Sequence, residues 1–174
     1  MPPRLLLEAR PGAGKTTAFR RLAELLEEAG AAVAGFTTEE LREGSRRVGF
    51  AVESMDGVRE TLAHVDLPGP PRVGRYGVDL EAFERVALPA LEAPAGGVVL
   101  IDELGKMELA SERFRGAVER LFDRPEALAA TVQVARHPFT DALRRRRDVE
   151  VIRLTAANRD ALPGQLAERL TSGG

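Results

Sequence analysis

The chain contains no cysteine and no tryptophan, a single tyrosine and only two lysines. Without cysteine there can be no disulfide, no thiolate zinc site and no cysteine nucleophile. The two histidines, His64 and His137, stand alone, without the spacing of metal ligands. No apolar run approaches the roughly 20 residues that a membrane-crossing helix needs. The N-terminal Leu5-Leu6-Leu7 is too short for the apolar region of a signal peptide. An excess of one charge is also missing. Lys and Arg together number 25 against 27 Asp and Glu, a formal net charge of -2, so no global field draws the chain to nucleic acid. These absences lead us to expect a cytoplasmic, monomeric protein that engages neither membranes nor nucleic acid.

What is present is an ordinary globular balance, 44% hydrophobic and 30% charged, over 174 residues. That length suits a single domain, 1–174, able to bury a core without covalent staples. The cations are unevenly chosen. Arginine appears 23 times, lysine only as Lys15 and Lys106. A position that departs from such a preference is one where a compact ammonium serves better than a planar fork.

Alternating element types run along the chain. "RLLLEA" (4–9) reads as a buried strand, and apolar residues from Phe19 to Leu26 recur at helical spacing up to a stop at Gly30. "AAVAGFTT" (31–38) reads as a second strand, completing a βαβ unit with a right-handed crossover. Asp56-Gly57, between "RRVGFAVES" (46–54) and "VRETLAHV" (58–65), predicts a β-hairpin with a type I′ turn near 46–65. An edge strand is expected at 73–78, and a helix over 79–93 that is capped by Asp79 and interrupted by Pro89. Further strands are expected at 97–105, 127–135 and 149–155, and helices at 111–123, 139–147 and 158–170. The alternation predicts an α/β fold of three layers, with a mostly parallel central sheet covered by helices on both faces. Ligands of such sheets bind at the carboxyl ends of the strands.

"EARPGAGKTT" (8–17) lies at one of those ends. The phosphate-binding P-loop, or Walker A motif, reads G-x-x-x-x-G-K-[ST]. Gly14, Lys15 and Thr16 match it, whereas Ala9 stands where the first glycine belongs. An alanine is acceptable there if its φ is negative. Gly12 and Gly14 lie where the backbone must approach oxygen atoms. Lys15 is positioned to reach the β- and γ-phosphates, and the Thr16 hydroxyl to bind Mg²⁺. A second motif, "VVLIDE" (98–103), is a hydrophobic strand ending in two acids, as in Walker B. Asp102 can hold Mg²⁺ through water, and Glu103 can orient or deprotonate an attacking water.

"ARPGAGKTT", "GFTTEELREGSRRVGFAVESMDG", "RVGRYGVDLEAFE", "IDELGKMEL" and "LTAANRDALP" occur in this order. Together, over about residues 3–170, they resemble the small P-loop nucleoside-triphosphatase family found in thermophilic prokaryotes and, as cancer-related NTPase, in animals. The resemblance implies a P-loop NTPase fold and Mg²⁺-dependent hydrolysis of ATP, GTP and other nucleoside 5′-triphosphates to diphosphate and phosphate. It also implies nucleotide contacts from two segments. One is Ala9, Arg10, Pro11, Gly12, Ala13, Gly14, Lys15 and Thr16, with Thr17. The other is Val98, Val99, Leu100, Ile101, Asp102, Glu103, Leu104 and Gly105. Thr16 and Asp102 would be the metal-binding pair.

Several residues carry two readings. Arg42, with Arg46 and Arg47, could neutralise charge on the transferring phosphoryl group or form a solvated basic loop. Lys106 could do the same or pair with a neighbouring acid. Asn158 and Arg159 follow the last strand, where a base contact is possible; a helix N-cap is the plainer reading of Asn158. The run Arg144–Arg147 could touch RNA, but the acidic balance and the lack of interleaved aromatic residues favour a solvated helix end. Phe36 and Tyr76 read as packing residues. Two other activities share the same motifs. A small-molecule kinase would build its acceptor pocket from 38–78, and a nucleotide-gated binding module would bind tightly without turnover.

Overall fold

The computed structural model describes residues 2–172. Its first strand, β1 (Arg4–Ala9), is buried on both sides. Leu5 and Leu7 point into one core and Leu6 into the other, as the two-residue period of a strand requires. A continuous apolar run is therefore the pattern of a strand covered on both faces. Helix α1 (Lys15–Glu28) follows the loop at its end and ends before Gly30, whose φ is 83°.

Strand β2 (Val33–Glu43) is longer than the sequence pattern suggests. The charged "EELRE" stretch (39–43), expected to lie beyond the strand, is part of it. It turns at Gly44-Ser45 into β3 (Arg46–Ser54) and pairs with it antiparallel. The charges there satisfy one another on the ribbon's exposed surface: Arg59 reaches Glu39 at 2.8 Å and Arg47 reaches Glu40 at 3.1 Å. β4 (Arg59–His64) completes the expected hairpin with β3. Its turn is not type I′. Only Gly57 has positive φ, and Ser54 pairs with Val58 across three residues. A three-residue loop takes a left-handed residue only at its last position. The expected edge strand at 73–78 is split by a turn at Gly74 into β5 (Arg72–Val73) and β6 (Tyr76–Val78).

After α2 (Leu80–Ala90) come β7 (Val98–Ile101), a 3₁₀ turn (Glu108–Ala110), α3 (Glu112–Phe122), β8 (Ala127–Gln133), α4 (Pro138–Arg144), β9 (Glu150–Arg153) and α5 (Leu162–Thr171). Asp79 and Ser111 cap α2 and α3 as expected, accepting from the amides of Ala82 and Phe114. Pro89 lies inside the last turn of α2.

Among the described residues the strands form one nine-stranded sheet in the order β5-β6-β4-β3-β2-β7-β8-β1-β9. From β2 to β9 every pairing is parallel. The remaining pairings are antiparallel, so the hairpin continues the central sheet and the whole is mixed. Helices α1 and α5 cover one face through Phe19, Leu22, Leu26, Leu166 and Leu170. On the other face α2 and α3 pack Phe83, Val86, Phe114 and Val118 against Leu6, Val99, Ile101 and Leu128.

Candidate active site

The carboxyl ends of β1, β7 and β8 meet at one edge of the sheet, because β8 lies between the other two. Ala9, the last residue of β1, is buried and pairs in register with Gln133, the last of β8. No residue other than glycine has positive φ among the described residues, so Ala9 meets the condition set for an alanine there. The chain then turns through Arg10–Ala13, with the Ala13 amide on the Arg10 carbonyl at 3.1 Å. Gly12 and Gly14 have φ of 80° and 90°. At Gly12 no neighbour would meet a Cβ, so conformation rather than crowding selects glycine.

Gly14 is the N-cap of α1, and no side chain caps that end. The first turn of α1 also carries no acid. Its leading amides therefore lack intrahelical acceptors, and the positive end of the helix is left uncompensated. Such an end, wrapped by a glycine loop, is suited to a phosphate group.

Across from it stand the two acids that follow β7. The Thr16 hydroxyl donates to Asp102 Oδ2 at 2.8 Å, and the Thr131 hydroxyl donates to Asp102 Oδ1 at 2.8 Å. Asp102 is fully buried. Burial pushes its carboxyl above the ordinary carboxylate value, while the Lys15 charge and the two hydroxyls pull it down. Glu103 accepts from Gln133 Nε2 at 3.0 Å and pairs with the Lys15 ammonium. The carbonyl of Gln133 in turn accepts from Arg144 Nη2 at 2.7 Å. Gly105 bends the chain close beneath these groups. A Cβ there would stand 2.8 Å from Glu103 Oε1 and 3.1 Å from Glu108 Oε2. Glu108 is itself buried. Its burial, and next the charge of Glu103, pushes that carboxyl well above the carboxylate range.

The structure thus brings together Lys15, Thr16, Asp102 and Glu103. It adds Thr131, Gln133 and Glu108, which sequence reasoning passed over. Only their places at the end of β8 and in "GKMEL" mark them, and the first becomes visible once β8 is known to separate β1 from β7. Arg42 lies elsewhere. The Phe36 carbonyl accepts from the Asp102 amide at 3.1 Å, and Arg42 is six residues farther along β2, about 20 Å at strand rise. There it is held by Glu40 at 2.7 Å and by the Ser45 carbonyl at 2.9 Å. Arg47 lies over Phe50 and Tyr76. Lys106 is exposed and makes no ion pair among the described residues. Asn158 does not cap α5, whose N-cap is Ala161. Instead its side chain closes the turn before it, accepting from the Thr155 amide and donating to the Arg153 carbonyl, both at 2.8 Å.

A sheet with a parallel core, a glycine loop opening a helix and a strand-end acid hydrogen-bonded to the loop threonine define a P-loop protein of the α/β class. Comparison with known proteins narrows the class. The family model described as NTPase matches residues 4–167. The Nucleoside-triphosphatase THEP1 of Thermotoga maritima is 40% identical over 165 residues, which span 94% of this chain and 92% of that protein. The Cancer-related nucleoside-triphosphatase of Homo sapiens is 40% identical, spanning 91% of each chain. The solution structure of a human cancer-related nucleoside triphosphatase superposes with a TM-score of 0.85 at 38% identity over 99% of both chains. The crystal structure of THEP1 from Aquifex aeolicus gives 0.83 at 32% identity, over 94% of this chain and 96% of the other. The chain belongs to the NTPase family.

Proposed function

We propose that this site cleaves the β–γ phosphoanhydride bond of ATP, GTP and other nucleoside 5′-triphosphates, with Mg²⁺, to give the diphosphate and phosphate. Membership of the NTPase family makes the chain a hydrolase acting on nucleoside triphosphates. The observation that carries the finer reading is the hydrogen-bonded chain Thr16–Asp102–Thr131 beside the Lys15–Glu103 pair.

The metal fits the residues present. Thr16 and Asp102 supply a hydroxyl and a buried carboxylate, hard oxygen donors of the kind Mg²⁺ takes. Bound there, Mg²⁺ would supply charge neutralisation on the β- and γ-oxygens. The loop residues Ala9 to Thr17 contribute backbone amides and position the polyphosphate. Lys15 is paired with Glu103 in this structure. A γ-phosphate competes for the same ammonium, and its binding leaves the Glu103 carboxylate free to accept the proton of an attacking water. Gln133 keeps that carboxylate oriented through the transfer. Val98 to Ile101 act through the strand that carries the acids, and Leu104 and Gly105 through the bend that holds Glu103 in place.

Phosphate release from each common triphosphate, with and without Mg²⁺, tests this reading. We expect Mg²⁺-dependent turnover of both purine and pyrimidine nucleotides in the absence of any acceptor. Turnover that appears only when a nucleoside or metabolite is added would replace hydrolysis by kinase chemistry.

A further inference from the structure

Glu103 is steadied by Gln133, and Gln133 is itself held by a residue that the sequence places among solvated charges. The run Arg144–Arg147 divides. Arg145 and Arg147 are exposed, whereas Arg144 turns inward, its side chain only 14% exposed. Both arms of its guanidinium are committed. Nη1 donates to the Thr140 hydroxyl at 3.2 Å and to Asp141 Oδ1 at 3.1 Å, and Nη2 donates to the Gln133 carbonyl at 2.7 Å. Thr140 and Asp141 lie on α4 with Arg144 itself. One arm is thus anchored on the helix, and the other crosses to the end of β8.

The sheet explains why this carbonyl needs a partner. β7 and β8 pair in register only as far as Ile101 and Ala130. The chain after β7 then bends through Asp102 to Gly105, and the Leu104 amide donates to the Thr131 carbonyl at 2.9 Å. Carbonyls two residues apart leave the same edge of a strand. The Gln133 carbonyl therefore faces the β7 side, where β7 has already ended. Arg144 supplies the donor that the ladder lacks there. On its other edge Gln133 is in register with Ala9 of β1. The strand end is fixed from both sides, and with it the direction in which its side chains leave. Thr131 and Gln133 share one face and meet consecutive acids: Thr131 reaches Asp102 Oδ1, and Gln133 reaches Glu103 Oε1.

We propose that Arg144 is a positioning residue for hydrolysis: by holding the Gln133 carbonyl it fixes the direction from which the Gln133 amide steadies the Glu103 carboxylate toward the attacking water. The inference rests on the assignment of Glu103 as the base. Arg144 touches no reacting atom and acts through Gln133. Releasing its hold lets the base drift from its place, which slows the chemical step. The contacts that the phosphate loop makes to the nucleotide are left intact.

Four variants test this with Mg-ATP: Arg144→Met, which keeps the apolar stem and removes the guanidinium, Arg144→Lys, Gln133→Ala, and Arg144→Met combined with Gln133→Ala. For Arg144→Met we expect kcat to fall about tenfold, with KM and the calorimetric Kd held within about twofold. Gln133→Ala should lose a similar factor. The double variant should fall no further than the worse single one, because both changes remove the same contact to Glu103. An ammonium can still donate to the Gln133 carbonyl, so Arg144→Lys should recover most of the lost kcat. Unchanged kcat in Arg144→Met would overturn the inference. So would losses that multiply in the double variant, or a rise in KM and Kd that matches the fall in kcat. Gln133→Ala keeps the carbonyl that Arg144 holds, so it tests the contact even where Arg144→Met fails to fold; unchanged kcat there overturns the inference equally. Hydrolysis by Glu103→Gln at the rate of the unaltered protein would instead overturn the assignment of the base beneath it.

Discussion

Glu103 shares its carboxylate between Lys15 on one oxygen and Gln133 on the other. A general base so held should be separable from binding. Glu103→Gln is expected to bind Mg-ATP with little change and to turn over at least about a hundredfold more slowly; retained hydrolysis would remove the residue from that role. Gly105 is exacting for a different reason. Its added methyl would press on Glu103 at 2.8 Å and Glu108 at 3.1 Å, two buried or largely buried acids. Gly105→Ala is therefore expected to lower kcat about tenfold or more by displacing Glu103, while melting shifts by only a few degrees. Full activity in that variant would show that the bend does not position the base. At this scale the sequence was legible where a residue's neighbours are its own chain neighbours: Lys15 and Thr16 follow the glycine loop, and Asp102 and Glu103 end an apolar strand. Thr131 and Gln133 were not legible, because their relation to the acids depends on β8 lying beside β7. The arginine-finger reading of Arg42 assumed a loop folding back on the site, whereas the segment is a strand leading away from it.

Between elements, β2 lies against β7 with no room for a side chain at Gly35. Gly35 has φ of 111°, and a Cβ there would fall 1.8 Å from the Leu100 carbonyl, its register neighbour. No side chain can be fitted without parting the two strands, so Gly35→Ala should cost about 3 kcal/mol or more of stability. A melting temperature within a degree or two of the original protein would contradict the register. The βαβ start, the hairpin and the helix caps were readable because each rests on local chemistry: the Asp79 and Ser111 caps, the Gly30 stop and the Asp-Gly turn. The length of β2 was not. "EELRE" lacks the apolar alternation of a half-buried strand and is held instead by cross-strand ion pairs, such as Arg59–Glu39, that need β3 and β4 in place. Likewise the partners of the buried Arg4 lie far along the chain. In the fold Arg4 reaches the carbonyl of Phe122 at 2.9 Å, one that the end of α3 leaves unpaired, and that of Arg124 two residues beyond the helix.

Over the whole molecule two cores flank the sheet, and the larger is centred on Phe36, Phe83 and Phe114. Their rings meet at 4.9–5.7 Å, largely edge to face. Phe114 is fully buried, and Phe114→Ala should destabilise the protein by about 3–5 kcal/mol in denaturant titration. Stability should also carry an acid limb from Asp148. The hydrogen bond from Arg146 holds its carboxyl below the ordinary value of 3.8. A carboxyl whose folded pKa is depressed contributes stability that is present above the unfolded value and is lost as pH falls through the folded one. Asp148→Asn should thus lower stability near neutral pH and flatten the decline below about pH 4; an unchanged acid limb would assign that decline to other groups.

The account as a whole rests on a polyphosphate seated between the loop and the two acids, and calorimetric titration of Mg-ATP into the unaltered protein and into Lys15→Ala tests that seat most directly. One saturable site should be seen in the first, weakened at least about tenfold in the second. No heat from the unaltered protein, or equal binding by both, would contradict it.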